Sequence, residues 1–161
     1  MSHGIQLQSL HRRPIRDARL KLAAETALDQ AGDHRGVNLS IIVTDSATLR
    51  EYNRQHRQID AATDVLSFAA APLPAAIDTA PGYLGDIIIA HDYVAAQCEA
   101  RGCCLNDALC LLVIHGTLHL LGYDHDSDSA RAQMWRAQAA SLQSLGISPT
   151  LVQDYAAAGD G

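Results

Sequence analysis

His115, His119 and His125 stand in the pattern HxxxHxxGxxH within the stretch HGTLHLLGYDH. Residues four apart on a helix share a face, so the first two imidazoles project side by side into one space. Gly122 permits a left-handed turn after that helix, and His125 can then come back toward the other two. Three neutral imidazoles would fill three positions of a tetrahedral zinc ion and leave the fourth open, an arrangement suited to catalysis rather than to scaffolding. A single histidine here would read as a hydrogen-bonded core residue; three at this spacing around a glycine favour metal. The aspartates of DHDSD do not make a calcium loop. Counted from Asp124, the sixth and twelfth positions hold Ser129 and Trp135, where an EF-hand needs glycine and glutamate. Asp124, Asp126 and Asp128 read instead as caps of the next helix and as partners that orient the histidines from behind.

The residue after His115 is Gly116. Zinc proteases of this spacing carry a glutamate there to activate water. Without it, the remaining means are the metal, which brings a bound water to a pKa of about 7, and nearby cations. That combination suits phosphodiester cleavage, whose anionic transition state is stabilised by metal and arginine. The site therefore leans toward a nuclease. Arg57, with Arg54 and Arg50 one and two turns before it, reads on spacing alone as an arginine near a helix end that faces water; as phosphate-binding residues the three would form a track along this helix. Arg12, Arg13, Arg16, Arg19 and Lys21 form a second basic patch, which is as readily a solvated helix face as an RNA contact. His3, His11, His34, His56 and His91 show no partner pattern.

The helix that must position His115 and His119 is apolar nearly all round, from Leu109 through Leu121, and belongs at the centre of a domain. Asn106 is its expected cap and Gly122 its end. Before it, IQLQSL (Ile5 to Leu10) alternates as a half-buried strand, and Arg16 to Ala31 follows as an amphipathic helix stopped by Gly32. VNLSIIVT (Val37 to Thr44) is a second strand, and Ser46 caps a short helix to about His56. DVLSFAA (Asp64 to Ala70) is a third strand, with Asp64 and Ser67 lining the cleft. GDIIIA (Gly85 to Ala90) is a central fourth, and the proline-bearing APLPAAIDTAPGY between them is a mobile loop. Helices over Asp92 to Arg101 and Ser127 to Leu145 complete the set. The sum is an α/β (α+β) fold: one compact domain over residues 1–152, with a mixed sheet of about four strands, about five helices and a zincin-like three-histidine site on the central helix. Residues 153–161 read as a disordered tail.

Composition sets the outer limits. A chain of 161 residues with 48% hydrophobic and 19% charged residues is a globular protein with a real core. Twelve basic residues against 18 acidic ones give a net charge of -6, so any nucleic-acid contact must come from a local patch. The longest apolar run, Ala108 to Ile114, is too short to span a bilayer, and MSHGIQLQSLHRRP lacks the apolar core of a secretory signal. The 4 cysteines form no CxxC pair and read as reduced thiols in a cytoplasmic protein, small buried residues on helices.

Four blocks, YNRQHRQIDAATDVLSF, LGDIIIA, HGTLHLLGYDH and the helix around Met134, resemble in order the YbeY family. These are the bacterial rRNA maturation factors that act as single-strand-specific endoribonucleases. The blocks run from about Glu51 to Leu145, and the first and third are specific to the family. The resemblance implies zinc, one ion per chain, on His115, His119 and His125, and places the family's active-site arginine on Arg57. It implies Arg57, His115, His119 and His125 as the catalytic set. Single-stranded ribosomal RNA is the implied substrate, especially the 3′ end of 16S rRNA, with the small ribosomal subunit as partner and a part in late ribosome quality control. Neither DNA nor a membrane is implied. The family usually has proline where Ala62 sits and often another at Ala69; those departures bear on loop rigidity before and after the third strand and touch no ligand. The competing readings are a zincin-type metalloprotease and a non-enzymatic, zinc-stabilised ribosome-assembly factor.

Overall fold

The computed structural model describes residues 4–9, 17–32, 36–70, 82–124 and 126–155. Along them run β1 (Gly4–Ser9), α1 (Asp17–Gln30), β2 (Asn38–Thr44), α2 (Ser46–Arg57), β3 (Val65–Ala69) and β4 (Tyr83–Ala90). Then follow α3 (His91–Arg101), α4 (Leu105–Leu120), α5 (Asp128–Ser144) and α6 (Leu151–Tyr155). The strands form one mixed sheet in the order β1-β2-β4-β3. β1 and β2 are parallel, as are β2 and β4, while β3 runs antiparallel to β4. The expected mixed α/β fold is present, with the apolar run of β4 inside the sheet and β3 at its edge.

Side chains alternate across a strand, and here the alternation separates two unequal cores. Leu39, Ile41, Val43, Val65, Ile87 and Ile89 face the large core that α1, α4 and α5 complete. Leu66, Ile88 and Ala90 point the other way and meet Leu49 of α2 in a small second cluster, with Phe68 against it. α4 lies in the middle of the large core: every residue from Ala108 to Ile114 is buried, and the helix touches α1, α3, α5, β3 and β4.

The caps of α2 and α4 differ from the sequence reading. Asp45 rather than Ser46 caps α2, accepting the Thr48 N–H at 2.8 Å, because a carboxylate is the stronger acceptor for a free helix N–H. Ser46 instead donates its hydroxyl to Asp92 at 2.7 Å and ties the starts of α2 and α3 together. Asn106 lies inside the first turn of α4, which begins after Cys104 with no side-chain capping bond. The tight left-handed end of α3 at Gly102 (φ 72) leaves only Cys103 and Cys104 as connection.

A boundary after residue 152 falls inside α6, so the expected tail starts too early. Tyr155 is 2% exposed, and its hydroxyl donates to Asp64 Oδ2 at 2.8 Å. Burial and the adjacent carboxylate push the phenol well above its usual range, so it stays a donor. Asp64 is thus a buried anchor just before β3 rather than a cleft residue on it. The loop at 71–81 and residues 156–161 lie outside the described residues. All 4 cysteines are free: Cys98 and Cys110 are buried on helices as expected, but Cys103 is half-buried and Cys104 exposed in the α3–α4 connection. Burial pushes the Cys98 thiol up to about 12 and Cys110 to about 11, leaving both protonated near neutral pH.

Candidate metal centre and phosphate-binding helix end

His115 and His119 occupy successive turns at the end of α4, both half-buried. Their rings meet edge to face with centroids 4.5 Å apart, and the two Nε2 atoms are 3.1 Å apart. The opposite ring nitrogens are held from behind. His119 Nδ1 donates to the Tyr123 carbonyl at 3.1 Å, and that carbonyl is placed by the helix end itself. Gly122 adopts φ 96, its N–H reaches the His119 carbonyl at 3.0 Å, and the Tyr123 N–H reaches Leu118 at 3.0 Å. This paired closure needs a left-handed residue, which is why a glycine follows the helix. His115 Nδ1 lies 3.1 Å from Oε1 of Gln138, a buried residue of α5.

These partners decide the tautomers. A carbonyl can only accept, so the proton sits on Nδ1 of each ring and each Nε2 presents a lone pair. Two such lone pairs 3.1 Å apart would share a cation placed between them. Two zinc–nitrogen bonds of about 2.05 Å at the tetrahedral angle put their nitrogens about 3.3 Å apart, so this donor pair fits zinc. His125 lies outside the described residues, and among those described no three His, Cys, Asp or Glu side chains gather to hold an ion.

Gly116 faces the sheet. A Cβ there would stand 2.9 Å from Ile87 Cγ2, 3.0 Å from the Ser67 hydroxyl and 3.1 Å from Ile87 Cγ1. The volume that a protease's glutamate would begin to fill is taken by β3 and β4. Glycine is there because α4 lies directly on the sheet, and the lack of a carboxylate is a consequence of packing.

Arg57 is the last residue of α2, exposed, with no ion pair among the described residues. Asn53 organises the chain around it. Its carbonyl takes the N–H of Gln58 (φ 59) and that of Ile59, and its buried amide donates to the Ala61 carbonyl at 3.1 Å. The other two arginines of the expected phosphate track already have partners: Arg50 pairs with Asp60 at 2.6 Å and Arg54 with Glu51. Hydrogen bonds from Arg54 and Gln55 hold the Glu51 carboxyl below its usual range, and Arg50 does the same for Asp60. Such exposed pairs contribute little and exchange readily for another anion. In the second basic patch, Arg19 is structural, donating at 2.8 Å to the Leu145 carbonyl at the end of α5. Lys21 is exposed, and Arg12, Arg13 and Arg16 lie outside the described residues.

Four site features were missed by sequence reasoning or assigned to other residues. Ser127, not an aspartate, caps α5 by accepting the Ala130 N–H at 3.1 Å. At His115 and His119 it is Gln138 and the Tyr123 carbonyl that accept from the imidazole Nδ1 atoms, while His125 lies outside the described residues. Gln138 left a signal: it is a polar residue on the buried stripe formed by Met134, Ser141 and Leu142. Asn53 left a similar one, as a buried amide on the otherwise exposed α2.

The family model described as Endoribonuclease YbeY matches residues 7–146. A protein named Endoribonuclease YbeY from Azorhizobium caulinodans is 42% identical over 127 residues, covering 78% of this chain and 79% of its own length. A protein of the same name from Roseiflexus sp. is 40% identical over 138 residues, covering 83% of this chain and 86% of its own. The solution structure of a Thermotoga maritima protein superposes with a TM-score of 0.55 at 24% identity, over 87% of this chain and 90% of that one, and supports the fold. No described helix is long and apolar enough to cross a membrane.

Proposed function

From the premise that this chain belongs to the YbeY endoribonuclease family, we propose that it is a zinc-dependent endoribonuclease that cuts single-stranded RNA during ribosomal RNA maturation. The observation that carries the metal is the pair of Nε2 lone pairs converging at 3.1 Å, each ring locked from behind. His115, His119 and His125 would hold the ion. Zinc held there would supply a Lewis-acid positive charge for phosphodiester cleavage and would lower the pKa of water. The chain's own contribution is orientation: the Tyr123 carbonyl and Gln138 fix ring rotation and tautomer, so the ligands need no rearrangement on binding. Arg57, with no ion pair among the described residues, would take two phosphate oxygens with its planar guanidinium and offset charge developing on them. With the sheet against Gly116, the position after His115 has no room for the carboxylate a zinc protease uses as its base. That favours an anionic phosphodiester substrate over a peptide bond. The ribosomal partners follow from the same reading: the small subunit, the 3′ end of 16S rRNA as target, and a cytoplasmic place of work.

The test is a three-substrate assay of the zinc-loaded protein. Single-stranded RNA should be cut, duplex RNA barely touched and casein left intact, with cutting abolished by chelation. Chelator-sensitive casein degradation would overturn the proposal in favour of the protease, and intact RNA under all conditions would favour a non-enzymatic assembly factor.

A further inference from the structure

Aromatic residues make up only 4% of this chain, with a single phenylalanine, yet two of them share a surface cluster with a histidine. Tyr52 and His56, one turn apart on α2, lie with ring centroids 5.9 Å apart and planes 22° from parallel. Phe68 of β3 sits beneath them, its centroid 5.2 Å from His56 and 6.1 Å from Tyr52. Burial does not account for the group. Phe68 is only half-buried, His56 is exposed, and Tyr52 is 36% exposed, so much of the group's surface is open to solvent at the margin of the small core. Arg57, the next residue after His56, makes no ion pair among the described residues.

The cluster is close to the histidine pair in the fold. Ser67, the residue before Phe68, has its hydroxyl 3.5 Å from the carbonyl of Gly116, which adjoins His115. Successive strand residues point to opposite faces, so Ser67 looks toward α4 and Phe68 toward α2. β3 is an edge strand, which makes the cluster and the histidine-bearing turn neighbours across one strand. An RNA chain draped over that edge would meet both.

We infer that Tyr52, His56 and Phe68 form a stacking platform for one unpaired base of the RNA substrate, with Arg57 beside it for the adjoining phosphate. Exposed aromatic faces next to arginine are the sequence-tolerant way to hold single-stranded nucleic acid, because every base has a π-face. A duplex keeps its bases stacked inside and offers no face to such a platform. The platform would therefore reject duplex RNA, and it deepens the proposed nuclease function by resting on that reading.

The experiment uses the zinc-loaded full chain and a single-stranded RNA oligonucleotide carrying 2-aminopurine, whose fluorescence falls when its base stacks. Wild-type protein should quench it; Tyr52→Ala should lose most of the quenching and Tyr52→Phe restore it. In cleavage assays, Tyr52→Ala should raise KM for single-stranded RNA about tenfold, equivalent to about 1.4 kcal/mol, with kcat and zinc content unchanged. His56→Ala provides a second variant should Tyr52→Ala fail to fold. Unchanged quenching and KM in both alanine variants would overturn the platform. The two proposals fail separately. Tyr52-dependent quenching without cleavage counts against the nuclease alone, whereas cleavage with Tyr52-independent binding counts against the platform alone.

Discussion

α4 and α2 both end in residues of the proposed site, and they are built in opposite ways. α4 is buried from Ala108 to Ile114 and carries its histidines on the last two turns of a helix pressed between the sheet and α5. α2 buries only Leu49 and Asn53, lies against the small core and offers Arg57 to solvent. The contrast suits what each group would do under the proposed function. Metal ligands must be held to within tenths of an ångström, so their helix is fixed by close packing and their rings by hydrogen bonds from behind. A guanidinium on a long flexible stem finds a phosphate by reach, and needs only its helix end held, which Asn53 does through the 58–61 backbone. Damage near the histidines should therefore reach the fold, while damage at Arg57 should stop at the chemistry.

The largest effect is expected at Gly116. Gly116→Glu would force a carboxylate between Ile87 and Ser67, and the protein should fail to fold rather than acquire protease activity. Gly116→Ala should fold but lose about 1–3 kcal/mol, because the 2.9 Å contact can be relieved only by moving a packed isoleucine. Urea melts measure both, and a Gly116→Glu protein as stable as wild type would break the comparison on the α4 side. A smaller and more selective loss is expected at the other helix. Arg57→Ala should keep its zinc and its melting curve while single-stranded RNA cleavage falls about a hundredfold, and Arg57→Lys should recover part of it. Undiminished cleavage by Arg57→Ala would remove this residue from the site.

How much of this was legible in the sequence depended on whether the informative feature was a residue type. The histidine spacing and Gly122 were legible because both are chemistry written in side chains at fixed intervals, and the structure places His115 and His119 side by side as the spacing requires. Element order was legible too, since β4 and α4 have apolar patterns with few alternatives. The partner of His119 was not, because a backbone carbonyl at Tyr123 has no identity in a sequence. Nor was the reason for Gly116: a glycine can mark a missing base or a close approach, and only the positions of Ile87 and Ser67 distinguish them. Tyr155 was misread as tail because its anchor, Asp64, is 91 residues away in the chain. Ser46 reads in the sequence as the cap of α2, but Asp45 holds that place with the stronger acceptor, while the Ser46 hydroxyl is taken by Asp92, a partner from another helix that local sequence does not reveal.

The central claim is that the end of α4 is a zinc site preorganised by its neighbours, and elemental analysis of purified protein tests it most directly. Wild type should carry one zinc per chain and His119→Ala almost none. Gln138→Ala should still bind the ion but about tenfold more weakly, because His115 would keep its place and lose the acceptor that fixes its ring. Full zinc occupancy in His119→Ala, with its fold intact, would contradict the account.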